Sequence, residues 1–241
     1  MSGALIAHVD SGKVPYEKLG EYPVPEATGR WKPIAHLELV DTLKNQINSN
    51  YRIAREEYAV SHNGMKLFGV LDLASELVEG MNKSIGFRHA NDKSLSIQIV
   101  AGSRVFCCDN LTLSGDLIVL KAKHTWGFNL GNRITLGLEK WEKDIVVFRN
   151  NVLDLTLREI NDRDAQALLA KVLYDGTITF QTFKVAYDLY FQRAVVTPDQ
   201  YPDCAPRTEW GLHNALTRAF KLSTPNVQFN STVAIGQEFG I

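Results

Sequence analysis

Ser84-Ile85-Gly86-Phe87-Arg88-His89-Ala90-Asn91-Asp92-Lys93-Ser94-Leu95-Ser96-Ile97-Gln98-Ile99 is the stretch that decides the fold. Ile85, Phe87 and His89 alternate with Gly86 and Arg88. Asn91-Asp92 then supply turn residues, and Leu95, Ile97 and Ile99 alternate with Ser94, Ser96 and Gln98. A period of two on both sides of an Asn-Asp turn marks neighbouring antiparallel strands. The second of these strands reads as half-exposed. Ala101-Gly102 is expected to break it, with a further strand over Val105 to Asp109 and another over Leu117 to Leu120.

Upstream, Asn63-Gly64 joins residues 51–61 and 65–73 into an expected β-hairpin with a type I′ turn. The alternation slips at Arg55-Glu56-Glu57, which predicts a bulge. Glu76 to Met81 reads as a short connection or a helical turn. Ahead of the hairpin, Val40, Leu43 and Ile47 predict a helix over 34–49. Residues 1–33 hold Pro15, Pro23, Pro25 and Pro33, so they read as an irregular N-terminal arm. Tyr16, Tyr22 and Trp31 are its expected anchors on the body.

Downstream the period changes from 2 to 3.6. Ile134, Leu138, Trp141, Ile145, Phe148 and Val152 fall on one face of a long helix beginning near Asn132. Asn161 or Asp162 caps a second helix that Gly176 stops, and Phe183 to Phe191 forms a third. Thr208 caps a helix carrying Leu212, Ala215, Leu216 and Ala219. The last 20 residues read as irregular, with strand character at Thr232 to Ile235. Strands first and helices second predict an α+β fold: a mostly antiparallel sheet from the N-terminal half, with helices on one face, packed against a helical C-terminal half. The expected organisation is an arm over 1–33 and a single domain over 34–241, strand-rich over 50–125 and helix-rich over 132–222.

Composition narrows function more than it names it. Hydrophobic residues make up 45% of the 241, enough for a sizeable core. No run of apolar residues is long enough for a membrane span, and Met1 to Asp10 lacks a signal-peptide pattern. Three cysteines, an odd count with Cys107 and Cys108 adjacent, fit a reduced, cytoplasmic setting. Net charge is −1, yet residues 81–133 hold 7 Lys/Arg against 3 Asp/Glu. A neutral total argues against binding nucleic acid through bulk charge, while leaving room for one basic groove.

Several chemistries have candidate residues. Cys108 with His124 is the weak catalytic candidate, since Cys–His pairs meet in space. A cysteine in an alternating strand is more often a small buried hydrophobe. Adjacent Cys107-Cys108 have the wrong spacing for zinc, so no metal and no cofactor are expected. Gly127 to Asn132 lacks the Gly-Lys-Ser/Thr ending of a phosphate loop. The basic set is the strongest: Lys83, Arg88, Lys93, Arg104, Lys121 and Lys123 as phosphate contacts, with Trp126 as a stacking surface. The alternation does not allow all of these to share one face, so the turns must contribute.

Trp31-Lys32-Pro33-Ile34-Ala35-His36, Leu67 to Leu73, Gly86-Phe87-Arg88-His89, Asp92-Lys93-Ser94-Leu95, Val105 to Asn110 and Lys123-His124-Thr125 resemble a domain family of unknown function labelled phage/plasmid-like protein. Trp210 to Thr217 is similar to that family's final helix, in which Tyr usually stands where His213 does. The resemblance covers about residues 30–220. It implies a mobile-element origin and an intracellular setting, and no catalytic residues. The expected function is a nucleic-acid-binding accessory protein of a phage or plasmid, holding single-stranded DNA during replication or recombination, with homo-oligomers within that reading. A non-catalytic protein that binds a host or phage protein is the alternative, and a Cys/His enzyme the third.

Overall fold

A computed structural model describes residues 13–61, 63–105, 111–191, 201–223 and 225–241. Among these, six strands form one antiparallel sheet in sequence order: β1 (Lys13–Val14), β2 (Ile53–Val60), β3 (Lys66–Val78), β4 (Met81–Ala90), β5 (Ile97–Val105) and β6 (Leu111–Ala122). The helices are α1 (His36–Ile47), α2 (Leu130–Leu157), α3 (Asp162–Tyr174), α4 (Phe180–Tyr190), α5 (Glu209–Ala219) and α6 (Pro225–Glu238). The sheet belongs to the N-terminal half and all helices but α1 to the C-terminal half, which is the α+β arrangement expected. No described helix is long and apolar enough to cross a membrane.

Strand parity builds the layers. Leu67 and Leu71 of β3, Ile85 and Phe87 of β4, and Ile97 and Ile99 of β5 point to one face. There they join the core of α1, α2 and α5, including Leu39, Leu43, Ile134, Trp141 and Leu212. Phe68, Val70 and Val100 point to the other face and pack with Phe229 of α6. Helices therefore lie on both faces rather than one. That explains why β5, expected to be half-exposed, is buried through Ile97, Gln98, Ile99 and Val100.

Helices α2 to α5 start on side-chain caps, of which Asn161 and Thr208 were expected and Asn129 and Thr179 were not. Asn129, Asn161, Thr179 and Thr208 each accept a hydrogen bond from a backbone N–H in the first turn of the helix that follows. The six apolar positions expected along α2 are all buried. At Gly137 α2 touches β6 so closely that a Cβ would lie 1.9 Å from the Val119 carbonyl oxygen.

Four local expectations are corrected. Glu76 to Met81 is strand and hairpin, with Val78 paired to Met81 across a turn in which Gly80 takes φ +75. Ala74 to Glu76 have no apolar alternation to signal this. Ala101-Gly102 does not end its strand: Gly102 pairs with Ser84 and Leu113, and the register shifts beside it. A glycine here marks a bulge rather than a break. The Asn63-Gly64 turn is wider than type I′. Ser61 N–H and Lys66 C=O close the loop, and only Gly64 of the pair has positive φ. Finally, residues 225–238 are helix, opened by Pro225 at a position where proline is well tolerated. Its Gln228, Phe229, Ser231, Thr232 and Ile235 are all buried, so apolar periodicity never appeared.

The arm packs along the body from Lys13 onward. Tyr16 donates its hydroxyl to Asp41 and lies 6.2 Å from the Tyr58 ring. Tyr22 packs 5.7 Å from His36. Trp31 forms backbone bridges to Thr28 and Thr125.

Candidate nucleic-acid interface

Three segments meet where β4 turns into β5 and β6 ends. The arm brings Arg30, Trp31 and Lys32, the β4–β5 turn brings Lys93, Leu95 and Ser96, and the segment after β6 brings Lys123 to Trp126. Between them lies a cleft of about 330 Å3, lined by Arg30, Trp31, Lys93, Leu95, Ser96, Lys123, His124 and Thr125. Backbone bonds tie its walls together. Lys32 N–H donates to His124 O at 3.3 Å and Trp126 N–H to Arg30 O at 3.3 Å.

The cleft is cationic and aromatic. Arg30, Lys32, Lys93 and Lys123 are all exposed, and no carboxylate among the described residues lines it. Asp92 in the adjoining turn accepts from Ser94 N–H at 2.9 Å and pairs with Lys66 at 3.7 Å. Lys93, the one described non-glycine residue with positive φ, reaches back to the arm. Its Nζ donates to Thr28 Oγ1 at 2.9 Å and lies 4.8 Å from the Trp31 ring centre. Trp126 is 59% exposed, yet its Nε1 donates to Gly29 O at 3.0 Å. Lys32 Nζ lies 5.6 Å from the same indole. A large exposed ring whose orientation is already held loses little freedom when a planar group stacks on it.

Of the seven expected binding residues, Lys93, Lys123 and Trp126 come together here. Lys121 is exposed on β6 in register with Gln98. Arg88, also paired with Gln98, donates to its Oε1 at 2.9 Å and lies against the Phe229 ring of α6 at 4.7 Å. Lys83 lies over Tyr51 and Trp141 at 5.2 and 5.9 Å, and burial lowers its pKa. Arg104 is 3% exposed and pairs with Asp72 at 2.9 Å and Glu57 at 3.5 Å. Ser84 donates to the same Asp72 at 2.7 Å. Arg104 is held inside the fold, away from the cleft. Sequence reasoning missed Arg30 and Lys32, because tertiary contacts such as the bridge from Trp31 to Thr125 bring the arm to the segment after β6.

Behind the cleft stands a row of buried histidines. His36 Nε2 lies 2.8 Å from Gly64 O, and His36 Nδ1 lies 2.8 Å from His89 Nε2. The His89 and His124 rings stack at 5.4 Å, and Trp31 lies 6.4 Å from His124. Burial lowers the pKa of all three, and for His89 the neighbouring histidines lower it further. The weak catalytic pairing of Cys108 with His124 has no described geometry, since residues 106–110 lie outside the described residues. No group of three or more His, Cys, Asp or Glu among the described residues is placed to hold a metal ion.

A comparison with protein-family models, curated proteins and solved structures finds no match to this chain.

Proposed function

We propose that the chain is a nucleic-acid-binding accessory protein of a phage or plasmid, which holds a single strand in the cleft between the arm and the end of β6. One observation carries this reading: three exposed cations and the Trp31 indole line a cleft that no described carboxylate lines, and Lys32 and the 59% exposed, already oriented Trp126 stand beside it. Cations along the backbone and an aromatic platform for the bases are how a strand is held without reading its sequence. The resemblance to phage/plasmid-like proteins supports the same setting and a host-cytoplasmic location. The near-zero net charge fits a local site rather than a coating of the whole surface.

Fluorescence anisotropy with a labelled single-stranded oligonucleotide at low salt is the test. Trp126→Ala is expected to weaken binding by about tenfold or more, the worth of one base stack. Lys93→Ala with Lys123→Ala is expected to flatten the log–log salt slope by about 0.7 for each phosphate that is no longer neutralised. Absence of binding at micromolar protein, or binding that both variants leave untouched, refutes the reading.

A second reading, docking of a protein partner, is favoured by Tyr174 and Phe180, which are 93% and 70% exposed at the α3–α4 tip. Capture of one protein that survives nuclease treatment and is abolished by Tyr174→Ser with Phe180→Ser would favour it over the first.

A further inference from the structure

His124 forms the back of the cleft, and strand binding through cations and indoles leaves it unused. It is 4% exposed, it lines the cleft, and the Lys32 backbone beside it favours its protonated form. The other two histidines are hydrogen-bonded to each other. Gly64 O is a carbonyl and only accepts, so His36 Nε2 carries a proton and donates to it. In neutral His36 the Nδ1 then accepts, and His89 Nε2–H donates to it at 2.8 Å. His89 presents its ring face to His124 at 5.4 Å and 26°. The row therefore ends at His124, the one imidazole of the three that lines the cleft.

Each element packed around His124 sets the charge it meets. The arm supplies Arg30 and Lys32, the β4–β5 turn Lys93, and its own segment Lys123. Asp92 is held by Ser94 and Lys66, and β4 and α1 contribute neutral His89 and His36. In the empty cleft, burial and this cationic excess both oppose a charge on His124. An anionic strand reverses the local sign, and its field favours an imidazolium on the wall behind it.

We propose that binding of an anionic strand in this cleft takes up one proton, held on His124, so that affinity rises as pH falls. The proposal rests on the cleft being the binding site. Burial already lowers the free-state pKa of His124, and bound phosphate raises it. Between those two values each pH unit downward tightens binding by up to about tenfold, and by reciprocity the strand shifts the proton equilibrium by the same factor.

The test is an anisotropy titration of the full chain with a rhodamine-labelled oligothymidylate, whose bases do not titrate in this range, from about pH 8 to about pH 6. Wild-type affinity is expected to rise about three- to tenfold over that span, while His124→Gln binds with a flat profile. Calorimetry of the wild type in two buffers of different ionisation enthalpy reads proton uptake without any variant. The His124 imidazole resonance, moving to a higher midpoint on adding the oligonucleotide, reads it again should the variant not fold. Wild-type binding with no pH dependence and no proton uptake overturns this inference and leaves the proposed function intact. An unchanged slope in His124→Gln places the proton elsewhere and also overturns it. Failure to bind at any pH removes the proposed function and the inference together.

Discussion

Replacing His213 by phenylalanine tests the physics of the helical half. His213 lies on α5 at 0% exposure, its ring 5.0 Å from Trp210 in a near-parallel stack and 5.3 Å from Phe239 edge-on. Neither ring nitrogen has a hydrogen-bond partner among the described residues. Burial pushes its pKa from 6.5 down to about 3. The folded value lies below the unfolded one, so the unfolded chain takes the proton first as pH falls. The stability contribution is therefore whole above the unfolded value of 6.5 and is lost progressively towards about pH 3. The loss is about 1.4 kcal/mol per pH unit, which amounts to about 2 kcal/mol at about pH 5. Phenylalanine has no such proton. Urea unfolding at about pH 7.5 and about pH 5 is expected to show a stability difference between the two pH values smaller by about 2 kcal/mol in His213→Phe than in the wild type. His36, His89 and His124 are lowered in the same direction, but they are present in both proteins and cancel. Any packing change from the larger ring acts at both pH values and cancels too. An identical pH difference in the two proteins refutes the burial argument for this site. At about pH 7.5 the variant is expected to be more stable by about 1–2 kcal/mol, since an unpaired buried polar ring is removed.

Arg104→Ala removes the 2.9 Å ion partner of buried Asp72, while Glu57 keeps Lys13 and Arg55, and is expected to lower unfolding free energy by about 3 kcal/mol. Denaturant titration checks this, and a loss below about 1 kcal/mol would mean that the pair is hydrated in solution. Gly137→Val drives a side chain into the Val119 carbonyl and is expected to destabilise by several kcal/mol, of the order seen for overpacked cores, lowering Tm in a thermal scan. Thr208→Ala removes the cap of α5 and is expected to cost about 1 kcal/mol in the same scan. Trp126→Ala is expected to change stability by less than about 1 kcal/mol, because the ring is largely exposed, which separates its effect on binding from folding.

The sheet was legible where its neighbours do not alter the pattern. Ile85, Phe87 and His89 alternate because β4 buries that face against the core, and α2 shows its stripe because its opposite face meets solvent. Legibility failed where burial comes from two sides. Gln98 on β5 and Gln228 and Thr232 on α6 are polar residues enclosed between the sheet and the last helix, and no period survives such packing. The candidate site was half legible. Lys93, Lys123 and Trp126 are turn and end residues close to one another through the sheet, so a local reading found them. Arg104 looked equivalent by charge and position, yet strand parity puts it opposite Asp72 and Glu57. Arg30 and Lys32 belong to an arm whose docking is encoded in contacts with the segment after β6, which spacing along the chain does not reveal.

From β2 to β6 each strand bonds to the strand next to it in sequence, so this meander assembles by closing short loops. The two walls of the cleft are different: the bond from Trp126 to Gly29 spans 97 residues. Closing so long a loop costs more entropy than closing a hairpin, and pairings of that kind form after local ones. The chain thus has a sheet before it has a cleft, and it becomes competent to bind only at the end of folding. A strand gripping both walls would act as a clamp on that last closure, slowing release of the arm far more than it slows opening of any hairpin.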